Sequence, residues 1–219
     1  MERYWIIGFG KVGRRALERL RRKSPDAAIT VVDPKVSIPE GEENHAHWVA
    51  VEGVSFLLDR PLDVRSGHSP WIVPALPHHL AYAWMMAQMK PHGMTVVPYA
   101  VPETVVGQLP NPLRGSEGQV YISLADFLCP DNCNEPEKKC PGTGRARPYR
   151  LFEHLAGLST GGARSLVIRS HQLAPGVGGY RGTQLTAALD DIDMRPGRYL
   201  VSTASKCHAV MHAFELKRK

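Results

Sequence analysis

The sequence predicts an α/β protein whose first half is built on a parallel sheet, and three observations carry that prediction. A short apolar run, Tyr4-Trp5-Ile6-Ile7, ends in the turn Gly8-Phe9-Gly10-Lys11-Val12-Gly13. Val12, Ala16, Leu17 and Leu20 then recur at helical spacing, and a β-branched run over residues 28–32 closes on Asp33. Strand, glycine turn, helix and strand in that order make a βαβ unit, the start of a Rossmann-type domain. The four cysteines all lie in the second half of the chain, which predicts a smaller α/β lobe with a cysteine metal-binding loop. The expected domains are residues 1–108 and 109–219.

The remaining elements follow from periodicity and breakers. Ser24-Pro25-Asp26 ends the first helix, and a polar loop over 35–44 leads to a third strand at 47–51 and a helical piece at 54–58. A fourth strand at 71–75 precedes a helix over 78–89, with Leu80, Ala83, Trp84 and Ala87 on one stripe, and a fifth strand follows at 94–97. Pro98, Pro102, Pro110 and Pro112 mark the boundary between lobes. Beyond it come a strand at 119–127, the cysteine loop, a helix at 149–158 and a strand at 165–169. A glycine-rich loop, a helix at 183–192 and strands at 199–203 and 208–214 complete the chain.

Composition narrows the function classes. An apolar fraction of 43% with 22% charged residues belongs to a folded globular protein. No apolar stretch approaches the roughly 20 residues of a membrane span, and residues 1–7 lack the pattern of a signal peptide. A cytoplasmic location is therefore expected. The net charge of +6 suits anionic small molecules. Its densest cluster, Arg14, Arg15, Arg19, Arg21, Arg22 and Lys23, falls on one helix and reads as a solvated face, so no nucleic-acid partner is expected.

The glycine turn has the context that a bare GxGxxG lacks. Gly8 allows the tight turn, Gly10 the close approach of a pyrophosphate to backbone, and Gly13 close packing of helix on strand. The pyrophosphate would sit at the helix start, on Lys11 and Val12, where free N–H groups favour negative charge. Asp33 ends the next strand and would accept hydrogen bonds from the adenosine ribose. Its carboxylate repels a 2′-phosphate and favours NAD(H) over NADP(H). A degenerate site or another adenosine ligand, such as S-adenosylmethionine, is the competing reading.

In Ile6-Ile7-Gly8-Phe9-Gly10-Lys11-Val12-Gly13-Arg14 and Val31-Val32-Asp33 the chain resembles the TrkA-N or RCK-type nucleotide-binding domains of potassium-uptake regulators. The resemblance covers about the first hundred residues. It implies a domain that senses NAD(H) or another adenine nucleotide and passes the signal to a partner. The segment Val51-Glu52-Gly53 departs from the acidic motif that this family usually carries after its third strand.

Cys129, Cys133 and Cys140 are spaced C-x3-C-x6-C in a proline-rich loop, and Cys207 lies near the last strand. Four soft thiolates are a full set for a [4Fe-4S] cluster or for zinc. Only the first pair has the spacing usual for structural zinc, which places the cluster ahead. Thiols without metal remain open, and His208 is an alternative fourth ligand.

Two further sets complete the candidates. Gly178, Gly179, Arg181 and Thr183, between a strand and a helix, outline a second anion site, against which a plain glycine connection is weighed. His78 and His79 follow the fourth strand, where open α/β sheets place substrates, and are candidates for acid-base work against a capping or surface role. His171 and His212 read as structural. The function expected is an NAD(H)-binding redox protein, an oxidoreductase with a cysteine-ligated centre passing electrons or hydride to a partner. The rival is a non-enzymatic nucleotide sensor braced by structural zinc. A homodimer stays open.

Overall fold

The computed structural model describes residues 1–38, 40–41, 45–62, 69–89 and 94–218. Residues 39 and 42–44 of the expected polar loop lie outside them. The chain is mixed α/β with two sheets. In the first, β1 (Arg3–Ile7), β2 (Ala28–Val32), β3 (His47–Val49) and β4 (Trp71–Pro74) are parallel in the order β3-β2-β1-β4. A hairpin of β9 (His171–Ala174) and β10 (Val177–Arg181) extends it, β10 lying antiparallel to β4.

The second sheet runs β6 (Leu113–Arg114), β7 (Val120–Ser123), β12 (His208–Arg218), β11 (Gly197–Ala204), β8 (Arg164–Arg169). The long β12 pairs with β7 along its first half and with β5 (Met94–Tyr99) along its second.

Strand alternation sorts the side chains into three cores. Tyr4, Ile6, Val31 and Val73 face α1 (Lys11–Lys23), which buries Ala16, Leu17 and Leu20 against them. Ile7, Val32 and Ile72 point the other way. They meet α2 (Gly53–Leu58), α3 (Leu80–Met89), α6 (Gly182–Ile192), and Tyr199, Val201 and Phe214 of the second sheet. The far side of the second sheet, with Leu200 and Met211, is covered by α4 (Glu103–Val106) and α5 (Leu151–Ala156).

Two sequence expectations change here. The strand at 94–99 is antiparallel to β12 in the second sheet instead of being a fifth parallel strand of the first. The glycine-rich stretch expected as a connection is the β9–β10 hairpin, and the two sheets interleave along the chain. Local pattern assigns a strand, and only tertiary pairing assigns its sheet.

Candidate functional site

The glycine turn forms where β1 hands over to α1. The Gly8 amide donates to Val32 O at 2.7 Å, so the turn stays in register with β2. Gly8 has φ +101, and a Cβ there would lie 2.6 Å from Ala75 O, so only glycine fits between β1 and the end of β4. A Cβ on Gly13 would lie 2.1 Å from Gly8 O, which is the close contact of helix on strand expected from its place in the motif. At Gly10 a Cβ would meet nothing within 4 Å. Gly10 is the N-cap of α1, no side chain caps that helix, and Lys11 and Val12 are exposed beside it.

Asp33 sits at the end of β2 and ties two turns together. Its Oδ2 accepts the Phe9 amide and its Oδ1 accepts the Lys35 amide, both at 2.8 Å. A carboxylate has further lone pairs, so these bonds orient it and leave it able to accept more. Phe9 packs edge-on against Trp48 with ring centroids 4.9 Å apart, and the Arg14 guanidinium covers the Phe9 ring.

The cysteines converge on one cavity of about 600 Å³, lined by Cys129, Cys133, Cys140 and Cys207 and by Val12 of α1. All four are free and half-buried. Cys133 Sγ accepts the Glu135 amide at 3.4 Å. Burial opposes ionisation of Cys140, but hydrogen bonds from the Thr143 and Gly142 segment and the charge of Arg147 hold its thiol below the ordinary value. Burial pushes Cys129 up, with the neighbouring Cys133 and Cys140 adding to it. Burial also raises Cys207, against the pull of Arg147, whose Nε donates to Cys207 Sγ at 2.7 Å. As arranged, the described residues contain no group of three or more His, Cys, Asp or Glu side chains set to hold a metal ion.

The loop is held by side chains that the sequence reading left in solvent. Arg15 pairs with the Asp131 carboxylate at 2.6 Å, and Arg19 donates to Asp131 O at 2.7 Å and to Pro175 O at 2.8 Å. Val12, Arg15 and Arg19 form one stripe of α1 at i, i+3 and i+7, a pattern legible in the sequence. Its partner, Asp131, was not. From the hairpin, Gly176 N and Gln172 Nε2 both donate to Cys133 O at 2.7 Å. Arg147 was also missed; besides Cys207 it donates to Pro136 O, closing the loop on itself.

The outlined second anion site is taken up by the fold. Gly178 and Gly179 are strand residues of β10, and a Cβ on Gly179 would lie 2.7 Å from Ile72 O. Arg181 stacks on Trp71 and bonds Ser69 O at 2.8 Å and Glu2 Oε1 at 3.0 Å. Thr183 N donates to Ser69 Oγ at 3.0 Å, so protein atoms occupy the helix start.

His78 is half-buried, and His79 is buried. His79 Nδ1 lies 3.0 Å from His212 Nδ1, and its Nε2 lies 2.7 Å from Thr203 Oγ1. One Nδ1 must donate and the other accept, so the two imidazoles hold complementary tautomers. Burial depresses both, His79 to about 3 and His212 to about 4; the charges of His212 and His78 lower His79 further, while Glu117 partly relieves His212. Tyr82 stacks on His212 with ring centroids 4.1 Å apart.

Residues 81–217 match a family model described as "Uncharacterized protein, C-terminal domain". The chain belongs to that family. The matched span runs from α3 to β12 and takes in the cysteine loop, the hairpin and the second sheet, but not the glycine turn. No curated protein and no solved structure matches the chain. Among the described residues no helix is long and apolar enough to cross a membrane.

Proposed function

We propose that the chain is an NAD(H)-binding redox protein with a cysteine-ligated metal centre, an iron-sulfur cluster ahead of zinc, that passes electrons or hydride to a partner protein. The observation that carries this reading is the shared cavity: Val12, at the start of the glycine-turn helix, and all four cysteines line the same space. The parallel order β3-β2-β1-β4 with the glycine turn between β1 and α1 supports a Rossmann-type site. Gly10 offers the fit, since its missing Cβ leaves open space at an uncapped helix N-terminus. Lys11, Val12 and the backbone of Gly8 to Gly13 would hold the pyrophosphate, and Asp33 the ribose hydroxyls.

For the metal, the fit lies in donor chemistry. Four thiols share one cavity, and hydrogen bonds from the Thr143 and Gly142 segment hold the Cys140 thiol below its ordinary value. A bound dinucleotide would supply a hydride, that is two electrons with one proton, and a thiolate-held cluster would carry single electrons, so each NADH oxidised would release a proton and reduce two clusters in two copies of the chain. The chain's own residues orient and shield: Arg147 holds Cys207, and Arg15 and Arg19 anchor the loop to the nucleotide helix.

That last linkage also favours a second reading, a sensor in which nucleotide at the start of α1 sets the position of the cysteine loop. It accords with the resemblance to potassium-uptake regulators. Anaerobic purification with iron, sulfide and zinc analysis, followed by NADH titration, separates the readings. Bound iron and sulfide with cluster reduction by NADH are the expected result. A colourless, iron-free, zinc-loaded protein would sink the redox proposal.

A further inference from the structure

The positive charge of the chain is concentrated on one helix. Residues 11–23, which form α1, carry seven Lys and Arg against one Glu, a net +6 that equals the net charge of the whole chain. That helix walls the cysteine cavity and also an adjoining open groove of about 870 Å³, where Arg15, Arg19, Arg22 and Lys23 face Asn132 and Asn134 of the loop. Two carboxylates of the groove are already engaged, Glu18 by Arg22 and Asp131 by Arg15, both at 2.6 Å. On the loop, Arg145 at the cavity wall and Lys138 and Lys139 next to Cys140 are exposed and, among the described residues, have no ion pair. Apolar side chains join them at the surface. Leu128, directly before Cys129, is 97% exposed, and Val12 and Phe127, 57% and 37% exposed, line the cavity. A single exposed apolar residue needs no explanation, but three gathered at one cysteine cavity and flanked by cations mark a contact surface.

We infer that this face docks an acidic one-electron carrier protein over the cysteine cavity. Leu128 and Phe127 meet the apolar centre of the carrier's surface, and the cations of α1 and of the loop meet its carboxylates. The same charge repels a second copy of the chain. Apolar residues ringed by charge are the anatomy of a protein contact, whereas phosphate backbones are held by cations and polar groups alone. A small, charge-dominated patch suits the brief encounters of electron transfer, which use the smallest interfaces and gain their rate from steering. The choice of an electron carrier among acidic proteins rests on the redox reading above; the place and the sign of charge do not. On docking, one electron would pass from the cysteine-held centre to the carrier with no proton moving, so one NADH would serve two carriers.

The test measures binding of the full chain to immobilised carriers: an oxidised plant-type ferredoxin and a flavodoxin, both acidic, and cytochrome c, which is basic. Saturable binding of an acidic carrier is expected at about 20 mM salt, at least tenfold weaker by about 200 mM, with none to cytochrome c. Arg145→Glu and Arg22→Glu should each weaken it at least fivefold, mainly through the association rate. Leu128→Ser should weaken it as much but leave the salt dependence unchanged. Arg198→Glu makes the same change of charge at the far end of β11 from Cys207 and should have no effect. All four side chains are exposed, so the melting temperature should hold. No binding of either acidic carrier, equal binding of cytochrome c, or an Arg198→Glu loss as large as that of Arg145→Glu would overturn the proposal. So would displacement of the carrier by a short DNA duplex or by phosphatidylglycerol vesicles at lower concentration than the carrier itself needs. Iron-free protein that binds the ferredoxin in the expected way would fail the redox reading and still uphold the docking face.

Discussion

Three glycines within six positions do three different jobs, and the space around each tells them apart. At Gly13 an added Cβ would meet Gly8 O at 2.1 Å, while at Gly10 it would meet nothing. Gly13→Ala should therefore cost about 1–3 kcal/mol by overpacking, read as a lower urea midpoint. Gly10→Ala should leave that midpoint unchanged, or raise it slightly, and weaken NADH binding at least tenfold, because the Cβ enters the space the pyrophosphate needs. A Gly10→Ala protein with normal NADH affinity would remove the nucleotide from this turn. Asp33 shows the same division of labour within one side chain: it tethers Phe9 and Lys35 by their amides and keeps lone pairs free.

At the scale of elements, α1 has two working faces. Ala16, Leu17 and Leu20 seat it on the sheet, and Arg15 and Arg19 grip the cysteine loop through Asp131. The exposed Arg15–Asp131 pair is worth little by itself, at most about 1 kcal/mol. Its role is to position the loop. The β9–β10 turn grips the same loop more rigidly: Gly176 has φ +63, and a Cβ there would lie 1.8 Å from Asp131 O. Gly176→Ala should push the loop off its seat and speed amide hydrogen exchange across residues 129–147, with β1 and β2 unaffected. Arg19→Ala should do the same more weakly. Unchanged exchange in the loop with both variants would show that other contacts hold it.

At the scale of the whole molecule, the His79–His212 pair joins α3's approach to β12 and makes stability depend on pH. Both imidazoles are depressed by burial, with His79 also feeling His212 and His78, and His212 partly relieved by Glu117. An unfolded histidine titrates near 6.5. Below that pH the unfolded chain takes up protons that the folded pair refuses, so stability falls as pH drops from about 6.5 towards the folded values near 4 and 3. Above pH 6.5 the pair contributes no slope. The loss is about 2 kcal/mol per imidazole at pH 5, visible as a falling urea midpoint. His212→Asn, which keeps a side-chain partner for His79, should remove about half of it. A midpoint independent of pH between 7 and 5 would mean that the pair is not buried in solution.

The βαβ start of the chain was legible because its signals are local: apolar runs, a glycine turn and an acidic strand end each act over a few residues. The structure returns them within a residue or two as β1, α1 and β2. The spacing of Cys129, Cys133 and Cys140 puts three thiols in one loop, but that Cys207 lines the same cavity was decided by tertiary packing. Which sheet received residues 94–99, that a glycine-rich stretch became a hairpin, and that Arg181 turned inward to Trp71 and Glu2 depended on partners far away in sequence. So did the pairing of His79 with His212, 133 residues apart, and the unpartnered hydroxyl of Tyr180. Sequence fixes what a segment prefers, through backbone sterics and side-chain periodicity; tertiary packing decides which of its polar groups are satisfied, which are buried, and which remain free for a ligand.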